Sequence, residues 1–202
     1  MNLRLVAAIV FLFNCFVFGQ GPFQYDQQAI NLIEGAAGLQ SAQPLGQSFT
    51  PSLSSIGFVE LNLYDGDTLH TAGATVFVNV RSNSVTGPIL GSSAMVFMPD
   101  GFFGVTNFIF STPIGLAPGQ TYYLQPLVQS GDGWGSYVTD GSYAGGTEIY
   151  QGVPVPGRNL WFREGVVVPE PSSVLLLVLG FGALMARLIR LPKSPSHVLH
   201  RF

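Results

Sequence analysis

Two long apolar runs near the ends of this 202-residue chain divide it into three parts. Leu5–Phe18 has 13 apolar residues in 14 positions, and Val174–Ala186 has 11 in 13. Between them lies no other run close to the about 20 apolar residues of a membrane span, which excludes a polytopic membrane protein. Glycine and proline number 25 and 14, and both weaken helices, so the middle part is not expected to form a helical bundle.

The N-terminal run is typical of an export signal. Met1–Arg4 is short and basic, and Leu5–Phe18 has the length of the apolar core of a signal peptide. We predict cleavage by signal peptidase after Gly19, which makes residues 1–19 the signal peptide. Cys15 is the single cysteine and would be removed with it, so the mature protein would contain neither a disulfide nor a thiol site.

The C-terminal run follows a rigid polar segment. Pro169 and Pro171 exclude a helix across Val168–Ser173, and Ser172 or Ser173 can cap a helix that starts at Val174. We predict a transmembrane helix over 174–191, if two arginines within it extend to the interface. The membrane-stop basic residues are Arg187, Arg190 and Lys193.

The position of these cations predicts the orientation of the chain. Basic residues stay on the cytoplasmic side of a membrane, so residues 194–202 would form a cytoplasmic tail. The middle part, 20–167, would then lie outside, as the N-terminal export signal also predicts.

Residues 168–193 resemble the PEP-CTERM sorting domain. The motif residues are Pro169, Glu170 and Pro171, followed by a short apolar helix and a basic end. The resemblance implies a Gram-negative bacterium and processing near the motif by an exosortase. It implies an inner-membrane anchor before processing, and then a place on the cell surface or in the extracellular matrix with exopolysaccharide or biofilm.

The sequence of the middle part predicts an all-β structure. Val59–Leu63 alternates apolar and polar residues with period two, as do the valines of Thr75–Arg81. Turn pairs such as Asp65-Gly66, Asp100-Gly101 and Asp132-Gly133 separate the runs. We therefore predict an antiparallel β-sandwich or jelly roll over 20–167. The predicted strands are 45–50, 56–64, 75–81, 89–97, 105–110, 121–128, 134–138 and 159–166.

Two further details qualify this prediction. Residues 27–39 alone suggest a helix, although Gly35 and Gly38 weaken it. Pro126 cannot donate to a sheet ladder and predicts an edge strand over 121–128.

Three segments resemble a β-sandwich module common in anchored bacterial surface proteins. Leu45–Thr50 is similar to its opening strand, Leu116–Leu124 to a later Pro-Gly turn and strand, and Asn159–Arg163 to its closing strand. Such modules mostly lack an assigned biochemical activity, so the resemblance supports the fold more than a function.

The charges of the middle part argue against nucleic acid as a partner. Between Gly21 and Val168 there are three arginines, no lysine and ten acidic residues. Neutralising a phosphate backbone needs a cationic surface, which this composition does not provide.

No catalytic constellation emerges from the sequence. His70 is the only histidine of the middle part, too few for a zinc site, and no nucleophile motif accompanies it. Asp65-Gly66-Asp67 offers oxygen ligands for calcium, but a turn between strands is the favoured interpretation. We predict no enzyme activity, cofactor or metal, and an envelope hydrolase is the least favoured alternative.

Aromatic residues provide the remaining candidates for a site. Trp134, Tyr137 and Tyr143 lie in a glycine-rich stretch beside Asp132 and Asp140. Their rings could stack on sugars while the carboxylates accept hydrogen bonds from hydroxyls, or they could belong to the core, which is favoured. The leading prediction is a non-catalytic surface or matrix protein, and the alternative is a carbohydrate-binding module.

Overall fold

The structure is a computed structural model and describes residues 22–31, 33–67, 69 and 71–168. The predicted signal peptide (1–19, with Cys15), the sorting motif, the helix over 174–191, the tail over 194–202 and His70 all lie outside these residues. Within them, no helix is long and apolar enough to cross a membrane.

The described ranges contain fourteen β-strands, and the strands pair with their neighbours in antiparallel fashion. In chain order, the first seven are β1 (Phe23–Ala29), β2 (Ile33–Gly38), β3 (Gly46–Phe49), β4 (Ser55–Asp65), β5 (Ala74–Ser82), β6 (Ile89–Ser92) and β7 (Val96–Met98). The others are β8 (Phe103–Gly115), β9 (Tyr122–Gly131), β10 (Trp134–Asp140), β11 (Glu148–Tyr150), β12 (Val153–Val155), β13 (Arg158–Leu160) and β14 (Phe162–Val167). This confirms the all-β prediction.

The strands form two seven-stranded sheets, consistent with a β-sandwich. Sheet A has the order β1-β14-β4-β10-β13, with β2 beside β10 and β8 beside β4. Sheet B has the order β12-β11-β3-β9-β5-β6, with β7 beside β5. Together they make up one compact unit, Phe23–Val168.

The core lies between the inner faces of the sheets, and the period-two pattern explains it. On β4 of sheet A, Val59, Leu61 and Leu63 are fully buried, and on β5 of sheet B the valines at 76, 78 and 80 are as well. Burying a side chain of this size stabilises the fold by about 1.5–3 kcal/mol. The intervening residues of each strand point away from the core and form the outer faces of the two sheets.

Buried polar groups connect the sheets at one end. Gln47 of β3 donates from Nε2 to Asn159 Oδ1 of β13 over 2.9 Å, and its Oε1 accepts the Leu160 amide over 2.8 Å. Nearby, Glu148 and Arg158 form an ion pair of 3.0 Å. Burial raises the pKa of Glu148, and Arg158 opposes the effect.

The helix suggested over 27–39 is wrong. This segment belongs to β1 and β2, which pair with β14 and β10. Gly35 and Gly38 weaken a helix, whereas β14 and β10 each offer this segment backbone hydrogen-bond partners along one side. The short strands β11 and β12 were not predicted either.

The strand predicted over 89–97 is interrupted between β6 and β7, which both pair with β5 of sheet B, at a short segment that also bonds to sheet A. The Ser93 amide donates to Val78 O of sheet B over 2.9 Å, and the Ala94 amide donates to Ile109 O of sheet A over 2.8 Å. These bonds separate β6 from β7 and connect the two sheets at this edge.

The edge strand predicted from Pro126 is also wrong. β9 lies between β3 and β5 in sheet B. The proline sits beyond the last β3 pair, Gln47 with Leu124, and its carbonyl accepts a side-chain bond from Gln43 Nε2 over 3.0 Å. A proline is therefore accommodated inside a strand whose neighbour has already ended.

Candidate functional site

The structure separates the three predicted aromatic residues. Trp134 points inward from β10, is 2% exposed, and donates from Nε1 to Asp132 Oδ1 over 3.0 Å. Its ring stacks near Phe102, with centroids 6.3 Å apart. A sugar cannot reach a ring that is buried in this way, so Trp134 has a structural role.

Tyr143 is half-buried and packs against the core. Its ring meets Phe162 edge-on at 5.3 Å, and its hydroxyl accepts the Thr50 amide over 3.2 Å. Burial raises the pKa of Tyr143 to about 12, and the Thr50 bond opposes this only in part. Tyr143 therefore fixes the segment after β10 and does not face a cleft.

Tyr137 lies on the outer face of sheet A, where it joins two rings that the sequence analysis did not single out. The Tyr137 ring lies 4.9 Å from Tyr64 of β4 and 5.6 Å from Phe103 of β8. We call Tyr64, Phe103 and Tyr137 the ring cleft. Phe103 is 67% exposed.

The strand register explains why these rings meet. Tyr64 is directly opposite Phe103 on one side and Gly135 on the other. Gly135 has no side chain, and a Cβ there would overlap the Tyr64 ring, which lies over the glycine. Two features of the sequence could have predicted this arrangement. Tyr64 continues the outward positions of β4, and Gly135 occupies an outward position of β10.

The ring cleft opens into a cavity of about 380 Å³ that also includes Asp65 and Asp100. Asp65 accepts the Asp67 amide at Oδ1 over 2.9 Å and the Gly101 amide at Oδ2 over 2.8 Å. Burial raises the pKa of Tyr64, with a further contribution from Tyr137, so its hydroxyl stays protonated at neutral pH. The cleft thus combines apolar ring faces, a hydroxyl donor and carboxylate acceptors.

Three carboxylates from different turns meet beside this cleft. Oxygens of Asp65, Asp100 and Asp132 lie within 4.8 Å of one another. Asp132 Oδ2 is buried and has no hydrogen-bond partner in the described part of the chain. The Asp67 amide bond within Asp65-Gly66-Asp67 is that of a turn, as the sequence favoured. Exposed acidic groups of this kind are common without an ion, and we assign no metal to them.

One pair of carboxyl groups has divergent pKa values, but it lies away from the ring cleft. Glu164 of β14 is fully buried, and burial together with nearby Asp26 raises its pKa to about 8. Burial also acts on Asp26, but hydrogen bonds from Ser52 and Leu53 prevail and lower its pKa. Divergent pairs occur at acid–base sites. Glu164, however, faces the core, where no substrate reaches it.

Comparison with known proteins adds no assignment. No protein-family model matches the chain, and no curated protein is significantly similar to it.

Proposed function

We propose that this chain is an exported, non-catalytic protein of the cell surface or extracellular matrix whose β-sandwich binds carbohydrate through the ring cleft. Export rests on the apolar run at 5–18, and sorting rests on Pro169, Glu170 and Pro171 with the apolar residues after them. Signal peptidase and an exosortase are the processing partners, in a Gram-negative bacterium that produces exopolysaccharide.

One observation carries the carbohydrate assignment: three aromatic rings converge on the solvent side of a sheet beside carboxylates. The apolar faces of sugars stack on such rings, and their hydroxyls need nearby acceptors. Asp65 and Asp100 supply acceptors at the rim, and the protonated Tyr64 hydroxyl can donate.

A test of sorting follows the fate of the C-terminal segment. Mass spectrometry of the protein from a host with an exosortase should show that the peptide after the Pro169–Pro171 motif has been removed. In a host that lacks the enzyme, the same peptide should remain, and the protein should fractionate with the inner membrane. Intact Arg201-Phe202 on all surface material from the first host would contradict the proposal.

A test of binding uses a glycan array and residues 22–168, which include both sheets. We expect saturable binding that Tyr137→Ala abolishes while the far-UV spectrum stays β-type. Tyr123→Ala is the matched control, because Tyr123 is a half-buried tyrosine on the outer face of sheet B. Absence of binding to every glycan on the array, by a folded protein, would refute the carbohydrate assignment.

A further inference from the structure

A second group of rings lies on the same outer face of sheet A, toward the other end of β4. Phe23 and Phe58 stack with centroids 4.2 Å apart, and Tyr25 meets Phe58 edge-on at 5.5 Å. We call Phe23, Tyr25 and Phe58 the distal ring group. Tyr25 is 43% exposed, whereas Phe58 lies fully buried beneath the other two rings.

The distal ring group is built like the ring cleft. Gly165 of β14 stands between Phe58 of β4 and Tyr25 of β1 in the sheet register. A Cβ on Gly165 would overlap the Gln24 carbonyl, so the close approach of β1 requires a glycine. As at Gly135, the missing side chain allows rings of neighbouring strands to meet across it.

The charged groups between the two ring groups, Arg163 and Glu60, are paired with each other. Arg163 forms an ion pair of 2.8 Å with Glu60, and its guanidinium lies 5.0 Å from the ring centres of Tyr25 and Trp161. The Tyr25 hydroxyl donates to Glu60 Oε1 over 3.3 Å. Arg163 is the one cation among the outward residues described on this face, and its charge is already compensated.

Both ring groups follow β4. The residues Phe58, Glu60, Asn62 and Tyr64 point outward, although neighbouring side chains bury Phe58 and Glu60, and the ends of this row carry the distal ring group and the ring cleft. Tyr64 lies six positions after Phe58, which corresponds to about 20 Å at about 3.4 Å per residue. A ligand in contact with both groups is therefore extended and longer than one small sugar.

We infer that the outer face of sheet A binds one extended, uncharged polysaccharide chain that runs along β4 and contacts both ring groups. This inference rests on the proposed function and specifies its ligand. An anionic chain would find no free cation here and would meet the carboxylates of Asp65 and Asp100, whereas neutral sugars match alternating rings and hydroxyl partners. Asn62 within this row and Asn107 beside it on β8 offer amides to such hydroxyls.

Chain length is the variable that tests this inference. The full-length protein is produced in an export-competent host without exosortase and purified in mild detergent. Affinity is then measured for cello-oligosaccharides and laminari-oligosaccharides from the disaccharide to the octasaccharide, with anionic alginate oligomers in parallel. We expect the longest neutral oligomers to bind about tenfold more tightly than the short ones, because additional ring contacts form.

Variants assign the length effect to the distal ring group. Tyr25→Ala should remove the gain with length but leave the affinity for short oligomers unchanged, and Tyr25→Phe should retain the gain. Tyr150→Ala is the control, since Tyr150 is 37% exposed on sheet B. Thermal unfolding identifies any variant that fails to fold; if Tyr25→Ala does, Tyr25→Leu decides, because it keeps apolar cover over Phe58 without a ring and should lose the gain.

The outcomes distinguish this inference from the proposed function. Binding of neutral oligomers with the same affinity at every length would overturn the inference and leave the carbohydrate site of the ring cleft intact. Binding of alginate alone would overturn it too, because the face would then accept an anionic chain. Absence of binding to these probes and to every array glycan would overturn the proposed carbohydrate site itself.

Discussion

Aromatic rings gather in two groups on the outer face of sheet A, whereas the outer face of sheet B carries, beside rings such as Phe97 and Tyr123, amides and a guanidinium that bond to one another. On sheet B, Arg81 Nε donates to Gln125 Oε1 over 2.7 Å, and Gln125 Nε2 donates to Gln43 Oε1 over 3.2 Å. Ser92 Oγ donates to Asn79 Oδ1 over 2.6 Å. These polar groups of sheet B are thus satisfied within the protein, while Tyr25 and Phe103 of sheet A keep much of their ring surface in water.

We therefore expect the outer face of sheet B to contribute mainly to the stability of the fold, and that of sheet A mainly to the proposed binding. Hydrogen bonds within the face of sheet B contribute to folding and leave few groups for a partner. Exposed rings such as Phe103 gain little from folding, because much of their surface stays in water. Substitutions on the two faces should therefore affect different measurements.

The largest expected effect comes from Glu164, which lies directly behind the face of sheet A. Its pKa is raised from 4.5 to about 8, so the folded protein loses stability as pH rises through this interval. The loss is on the order of 5 kcal/mol, at about 1.4 kcal/mol per pKa unit. Denaturant unfolding should show Glu164→Gln more stable than the wild type above pH 8, with the difference shrinking toward pH 4.5.

Asp26 does not complicate this measurement, because its pKa is lowered and it stays ionised over this pH range. Glycan binding should be unaltered in Glu164→Gln, because the side chain faces the core. A difference in stability that stayed constant over this pH range would show that Glu164 is ionised in the fold.

A second prediction concerns the glycine beneath the ring cleft. In Gly135→Val the new side chain overlaps Tyr64, and we expect the free energy of unfolding to fall by about 1–3 kcal/mol. Binding should be lost with it, because Tyr64 is displaced from Tyr137. Gly115→Val is the control on the same sheet, since nothing lies within 4 Å of a Cβ there. Equal behaviour of the two variants would show that the cleft does not depend on Gly135.

Phe103 tests whether an exposed ring of sheet A contributes to binding more than to stability. Phe103→Ala should weaken glycan binding by about tenfold through the loss of one stacking contact. Its effect on stability should stay within about 0.5 kcal/mol, as for most exposed positions. Phe97→Ala is the matched control, because Phe97 is 64% exposed on sheet B. Equal losses of binding in both variants would place the ligand elsewhere.

The smallest effect is expected on the face of sheet B. Arg81→Ala removes donors to Gln125 and to the Gly87 carbonyl, and should lower the free energy of unfolding by about 1 kcal/mol. Calorimetry and the glycan array together should show reduced stability with unchanged binding. A loss of binding would mean that the two faces are coupled.

Much of the strand pattern follows from local residues. The prediction of 56–64 agrees with β4 at Ser55–Asp65, and 75–81 agrees with β5 at Ala74–Ser82. Alternation and Asp-Gly turns suffice there because each strand has one buried face. The helix prediction over 27–39 was wrong because this segment forms strands by pairing with β10 and β14. The local sequence pattern holds no information about these distant partners.

The site was only partly predictable for the same reason. Tyr137 was a candidate, but Tyr64 and Phe103 join it through register, and register depends on pairings between distant segments. Asp65, Asp100 and Asp132 each stood at a predicted turn, yet nothing local brings those turns to one end of the sandwich. Trp134 and Tyr137 are three positions apart, so their side chains point to opposite faces of β10.

The backbone bond from Ala94 to sheet A has a consequence for the protein at high concentration. β8 is an outer strand of sheet A, and an open edge of this length invites pairing with another copy. Here the Ala94 amide occupies the Ile109 carbonyl on that edge, and Pro113 lies in a bulged part of the strand and has no amide hydrogen to offer. Pairing of two copies along β8 would therefore meet an occupied carbonyl and a proline, which disfavours growth of fibres along this edge.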